Sequence, residues 1–219
     1  METRVIPADW PLASLMLPHV AEAAGRLGLD GRLAAIVLVA DAIATDDRSW
    51  LRFDGDAGAR RLTIWFHPDQ VVNDRPGRGR ARPESQAWDL GPLPAESPPA
   101  AAAEYSLANA MRFLYQQFLL ARDLLDGALA PANVPPSLVE AFQEAWLTTI
   151  DGRLNREGLP HLSAAERRLS FLRLFARAGV LTPSHWAIFN DLWEGRLADQ
   201  SAVLAKVRLL PPLGRRRGA

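Results

Sequence analysis

The chain contains no cysteine. Disulfide frameworks, thiolate metal ligands, cysteine nucleophiles and thiol redox switches are therefore excluded together. Lysine is almost as scarce, since of the 25 basic residues all but Lys206 are arginine. Phosphate-loop, Schiff-base and general-base chemistry that depends on lysine has almost nothing to work with. A bias of this degree is what a GC-rich coding sequence produces, and it points to a bacterial source. Net charge is missing too: 25 basic residues face 25 acidic ones, so no global field draws the chain to nucleic acid or to an anionic membrane. The longest apolar run, Leu33 to Ala44, is broken by Asp41 and falls short of the roughly 20 residues that a membrane span needs. Met1 to Pro11 carries Glu2, Arg4 and Asp9 and lacks the basic-then-apolar pattern of a signal peptide. A cytoplasmic protein with no membrane partner is expected.

What is present is ample core material: 219 residues, 48% hydrophobic, enough for one large domain over residues 1–219. Pro18 to Leu29 has helical spacing at Val20, Ala23, Ala24 and Leu27. Asp30 can cap a second segment, Arg32 to Ala44, whose length and alanines favour helix over buried strand. A hairpin follows. Ser49 to Phe53 and Arg60 to His67 flank the turn Asp54-Gly55-Asp56-Ala57-Gly58, and Leu62, Ile64 and Phe66 alternate with Arg61, Thr63 and Trp65. Residues 71–103 hold Pro76, Pro83, Pro92, Pro94, Pro98 and Pro99, which break any helix and leave room only for a short strand from Ser85 to Leu90.

The second half reads as helix throughout. Helices are expected from Ala103 to Asp126, Ser137 to Glu157, Ala164 to Ala178 and Pro183 to Glu194, each stopped by a glycine: Gly127, Gly158, Gly179 and Gly195. Ser163 with Glu166 forms a capping box, and Thr182 before Pro183 is an N-cap with proline at the first helical position. A fifth, short helix from Ala198 to Val207 precedes a tail at 208–219. The expected fold is α+β, a small, mostly antiparallel sheet with a hairpin packed on a predominantly helical C-terminal half.

Few constellations carry chemistry. His19, His67, His161 and His185 are too scattered for two ligands on one helix face. The loop opening at Asp54 begins like a calcium loop, but its twelfth position is Trp65 where a bidentate carboxylate is needed, so a hairpin turn is expected. Arg75, Arg78, Arg80 and Arg82 form the densest basic patch, a possible binding patch for a phosphate backbone or an acidic partner; without aromatic side chains to stack bases, a solvated loop is expected. The two helices around Gly179 suggest a helix-turn-helix, but Pro183 to Glu194 carries two acids and no Arg or Lys, the wrong sign for phosphate. Nucleic acid is not the expected partner, and Arg167, Arg168, Arg173 and Arg177 read as ordinary surface. Trp146, Trp186 and Trp193 read as core or interface anchors.

The long helix from Tyr105 to Asp126 is apolar round most of its circumference, with Leu107, Met111, Leu114, Phe118, Ala121 and Leu125 in one stripe and Phe113, Leu120 and Leu124 in a second. Gln116-Gln117-Phe118-Leu119-Leu120 in its middle resembles the H-E-x-x-H helix of zincin-like metallopeptidases of the minigluzincin type, with every chemical residue replaced. The resemblance puts Gln116 at the first histidine, Gln117 at the general base and Leu120 at the second histidine. Downstream, Val139 to Glu144 resembles the glutamate-bearing helix, with Glu140 in the third-ligand position and Glu144 one turn on. An amide is a poor zinc ligand, leucine offers no donor, and a neutral amide takes no proton from metal-bound water. The resemblance therefore implies a pseudoenzyme with no catalytic residues, no metal and no cofactor, retained for a structural, regulatory or interaction role with a protein partner or as a homo-oligomer. The alternatives are a metal-dependent hydrolase using carboxylates such as Asp123, Glu140, Glu144 and Asp151, and binding of nucleic acid or an acidic partner through Arg75 to Arg82. Gln116 and Gln117 equally fit the polar strip of an ordinary core helix.

Overall fold

A computed structural model describes residues 1–41, 49–56, 58–73, 105–175, 182–197 and 199–210. They fall into two compact units, Met1–Glu22 with Gly31–Ala110, and Ala23–Asp30 with Met111–Ala219.

The first unit is built on a four-stranded sheet. Strand β1 (Glu2–Ile6) leads through helix α1 (Ala13–Arg26) to β2 (Ala35–Ala40), and the hairpin β3 (Trp50–Asp54) and β4 (Arg61–Phe66) completes it. The order is β1-β2-β4-β3. β1 with β2 and β2 with β4 run parallel, and only β3 with β4 is antiparallel. The sheet is thus mixed, not mostly antiparallel, and the segment expected as a helix from Arg32 supplies its second strand. The cause is that β2 has parallel neighbours on both sides. Ile36 and Leu38 are wholly buried, and Val37 and Val39 on the other face are half-buried, so the strand is apolar on both faces and shows no alternation. The hairpin forms where expected, with Gly55 at φ 86° in its turn. Helix α1 begins earlier than the sequence suggests, with Pro18 inside it. Leu62, Ile64 and Phe66 of β4 join Ile36 and Leu38 in the core, and Trp10 meets Phe66 edge-on at 5.6 Å.

A bridge between Val72 and Tyr105, with the Asn109 amide donating to the Val72 carbonyl at 2.7 Å, fixes the start of helix α2 (Leu107–Leu125). The expected strand from Ser85 to Leu90 and the arginine patch lie outside the described residues.

The second unit is helical. Helices α3 (Val139–Arg156), α4 (Ala164–Phe175), α5 (Pro183–Trp193) and α6 (Gln200–Val207) follow the expected order. Gly127, Gly158 and Gly195 take positive φ at helix ends, while Gly179 lies outside the described residues. Ser163 and Glu166 form the capping box: the Ser163 N–H donates to Glu166 Oε2 at 2.8 Å, and the Glu166 N–H to Ser163 Oγ at 3.2 Å. α3 is the centre of this unit, packed by α4, α5 and α6. Gly152, in the interior of α3, allows its contact with α5: a Cβ there would overlap the backbone carbonyl of Trp193. Among the described residues, no helix is long and apolar enough to cross a membrane.

Candidate functional site

Two buried carboxylates mark the interior of the helical unit. Asp151 on α3 is wholly buried, because it lies about one turn from the wholly buried Thr148 and Leu154 on the face turned inward. Arg167 on α4 reaches it with Nε at 2.7 Å and Nη2 at 2.5 Å from Oδ2. The same guanidinium donates through Nη1 to Glu144 Oε1 at 3.3 Å. Gln116 on α2 donates its amide to both Asp151 oxygens, at 3.4 and 3.3 Å, and the Leu162 N–H reaches Oδ1 at 3.3 Å. Three segments of the helical unit, α2, the chain at Leu162 and α4, thus converge on one carboxylate of α3.

Electrostatics follow from that geometry. Burial pushes the Asp151 carboxyl above the usual carboxylate range, against the opposing pull of Arg167. Burial also disfavours the charge on Arg167, but the attraction of Asp151 and then Glu144 outweighs it and raises the guanidinium's pKa further. Arg167 is therefore a fixed cation shared by two carboxylates.

Asp123 on α2 forms the second centre. Arg153 grips it through both terminal nitrogens, Nη1 at 2.8 Å from Oδ1 and Nη2 against Oδ2, and the Trp146 indole donates to Oδ2 at 3.0 Å. Trp146 also stacks on Phe142 at 5.6 Å. Here the tryptophan anchor expected from sequence lies in the core and its one donor is satisfied.

The residues singled out from sequence separate. Gln116 enters the Asp151 cluster, Gln117 is buried and Leu120 is half-buried on the same helix. Glu140 is exposed in the first turn of α3, about three turns of helix from Asp151. Arg75, Arg78, Arg80 and Arg82 lie outside the described residues. Asp123, Glu144 and Asp151 all take part in ion pairs with arginine. Among the described residues, no three His, Asp or Glu side chains are grouped to hold a metal ion.

Arg167 corrects the reading of this helix as a run of surface arginines. It is 3% exposed, whereas Arg168 and Arg173 are exposed as expected and Arg177 lies outside the described residues. The signal was available: Arg167 falls on the same stripe as the buried Phe171 and Phe175, at successive i, i+4 positions. Arg168, one residue on, lies over the rings of Trp186 and Phe189 at 5.9 and 5.3 Å, with Asn190 beside it, and lines a shallow surface recess. His185 serves structure, its Nδ1 accepting from the Thr182 N–H at 3.1 Å at the start of α5.

The chain matches no known protein family, and no curated protein or solved structure is significantly similar to it. Fold and site together define an α+β protein with a mixed-sheet unit and a helical unit centred on buried arginine–carboxylate pairs.

Proposed function

We propose that this chain is a non-catalytic protein, zincin-like in plan, whose helical unit serves a structural or protein-interaction role. One observation carries the reading: Asp151, the buried carboxylate that Gln116 reaches, is already held by Arg167. Its guanidinium bonds Asp151 and Glu144 together, and Gln116, which the resemblance puts at the first zincin ligand, turns its amide donor toward the same carboxylate. A second cation brought to that cluster would meet a guanidinium that does not lose its proton. Gln116, Gln117 and Leu120 fit the motif positions with no metal donor of useful strength among them.

The order of hairpin, central helix and second helix bearing Glu140 also suits a zincin-like plan. A hydrolase built on Asp123, Glu144 and Asp151 is less well supported, because arginines already engage all three. Oxygens already bonded to a guanidinium make a carboxylate a poor open metal ligand.

Elemental analysis of protein purified without chelator tests the proposal. The expected outcome is no stoichiometric zinc, manganese or iron, and the same melting temperature with and without EDTA. A stoichiometric metal whose removal lowers the melting temperature would overturn it.

A further inference from the structure

We infer that β3 is a pairing edge between two copies of this chain, which join their sheets antiparallel about a twofold axis at Phe53. β3 ends the sheet, and no strand among the described residues lies beyond it. Leu51 and Phe53 are half-buried and stand opposite the wholly buried Ile64 and Leu62 of β4. Trp50, Arg52 and Asp54 occupy the other face, with Trp50 63% exposed.

An edge strand presents a row of unpaired N–H and C=O groups, and proteins discourage pairing there with short strands, charged side chains, proline, a bulge or a covering segment. β3 has no proline, it pairs with β4 in unbroken register, and its charges do not oppose a second copy. Its two charges are of opposite sign and two residues apart on one face, joined along the strand by Arg52 Nη2 donating to Asp54 Oδ2 at 3.0 Å.

That spacing is self-complementary in an antiparallel pair. With Phe53 on the axis, Arg52 of each copy stands directly opposite Asp54 of the other, at the cross-strand Cβ separation of about 4.5–5.5 Å. The four charges then alternate in sign round a square. Phe53 meets its counterpart on the core face and extends the apolar layer of Leu62 and Ile64 across the axis, while Leu51 stands opposite Gly55, where positive φ turns the chain away. A parallel pairing in register would set arginine beside arginine. The closed twofold geometry makes a dimer of two joined sheets and not a filament.

The inference is independent of the non-catalytic reading, since it concerns a different unit and a different measurement. Sedimentation equilibrium of the full chain from micromolar to millimolar concentration reads it directly. The wild type is expected to approach twice its 24.0 kDa chain mass. Arg52→Asp and Asp54→Arg are each expected to stay at the single-chain mass, because like charges then face one another. An equimolar mixture of those two variants is expected to regain the doubled mass, and the exchange variant Arg52→Asp/Asp54→Arg is expected to dimerise as the wild type does. Unchanged circular dichroism keeps the single variants interpretable, and the exchange variant retains the pair along the strand. A wild type that stays single throughout overturns the inference. So does a single variant that still dimerises, or a mixture and exchange variant that both fail to.

Discussion

Arg167 donates its Nε–H to Oδ2 of Asp151 at 2.7 Å in the interior of the helical unit, and Glu144 shares the same guanidinium at 3.3 Å. A buried pair of this kind gives little net stability against an apolar substitute of similar volume, but removing one member strands the other. Arg167→Met is expected to cost about 3–5 kcal/mol at neutral pH. Asp151→Leu combined with Arg167→Met is expected to recover most of that loss. Urea denaturation of the single and double variants checks both, and equal losses in the two would show that the site fails for reasons of packing.

Acidity should soften the single loss. Because burial already raises the Asp151 pKa, the native state holds a proton there that the unfolded chain has released between about pH 3.9 and the carboxyl's own pKa. The contribution of this group is therefore largest below about pH 3.9 and declines as pH rises through that window. In Arg167→Met, with the counter-charge gone, the decline is expected to be steeper than in the wild type. Urea midpoints measured against pH for the two proteins give the comparison.

Asp191 titrates with the opposite sign. Burial works to raise its pKa, but hydrogen bonds from Lys206 and Arg196 outweigh it and hold the carboxyl below the usual range. Its contribution is present above about pH 3.9 and is lost as pH falls through its own lower pKa. Asp191→Asn is expected to remove a small, salt-sensitive increment at neutral pH and none in strong acid. Thermal melts at low and high salt across that range test it.

Gly152 gives a prediction whose sign is diagnostic. Helix propensity alone makes Gly152→Ala stabilising by about 1 kcal/mol. The overlap of the new methyl with the Trp193 backbone carbonyl, which cannot rotate aside, reverses that, and a net loss of about 2–3 kcal/mol is expected. A stabilised variant in a denaturation series would show that α3 and α5 are not in backbone contact there.

Trp146→Phe keeps the stacking partner for Phe142 and deletes the indole bond to Asp123. A bond to a charged group in the core is worth about 1.5–3 kcal/mol, and a loss of that size is expected from the urea midpoint.

The helices could be read from sequence because their ends are written locally: Gly127, Gly158, Gly195 and the Ser163–Glu166 box each act within a turn of where they stand. The sheet was less legible. β2 owes its strand character to neighbours distant in the chain, and β1 is short, with Glu2 and Arg4 alternating against a single buried valine. The site divides in the same way. Gln116 stands out in sequence as a motif position and Asp151 as a candidate carboxylate, but their meeting depends on how α2 and α3 lie together. Arg167 was hidden by its exposed arginine neighbour, although its register with Phe171 and Phe175 placed it inside. Charge type alone suggested a surface, and position on the helix decided otherwise.

The boundary between the two compact units runs through helices, since Ala23–Asp30 groups with the second half of the chain while the rest of α1 groups with the first. Ala23, Ala24, Leu27 and Leu29 are all buried. A fragment starting at Met111 would therefore lack side chains that belong to its own interior, and no single cut releases either half complete.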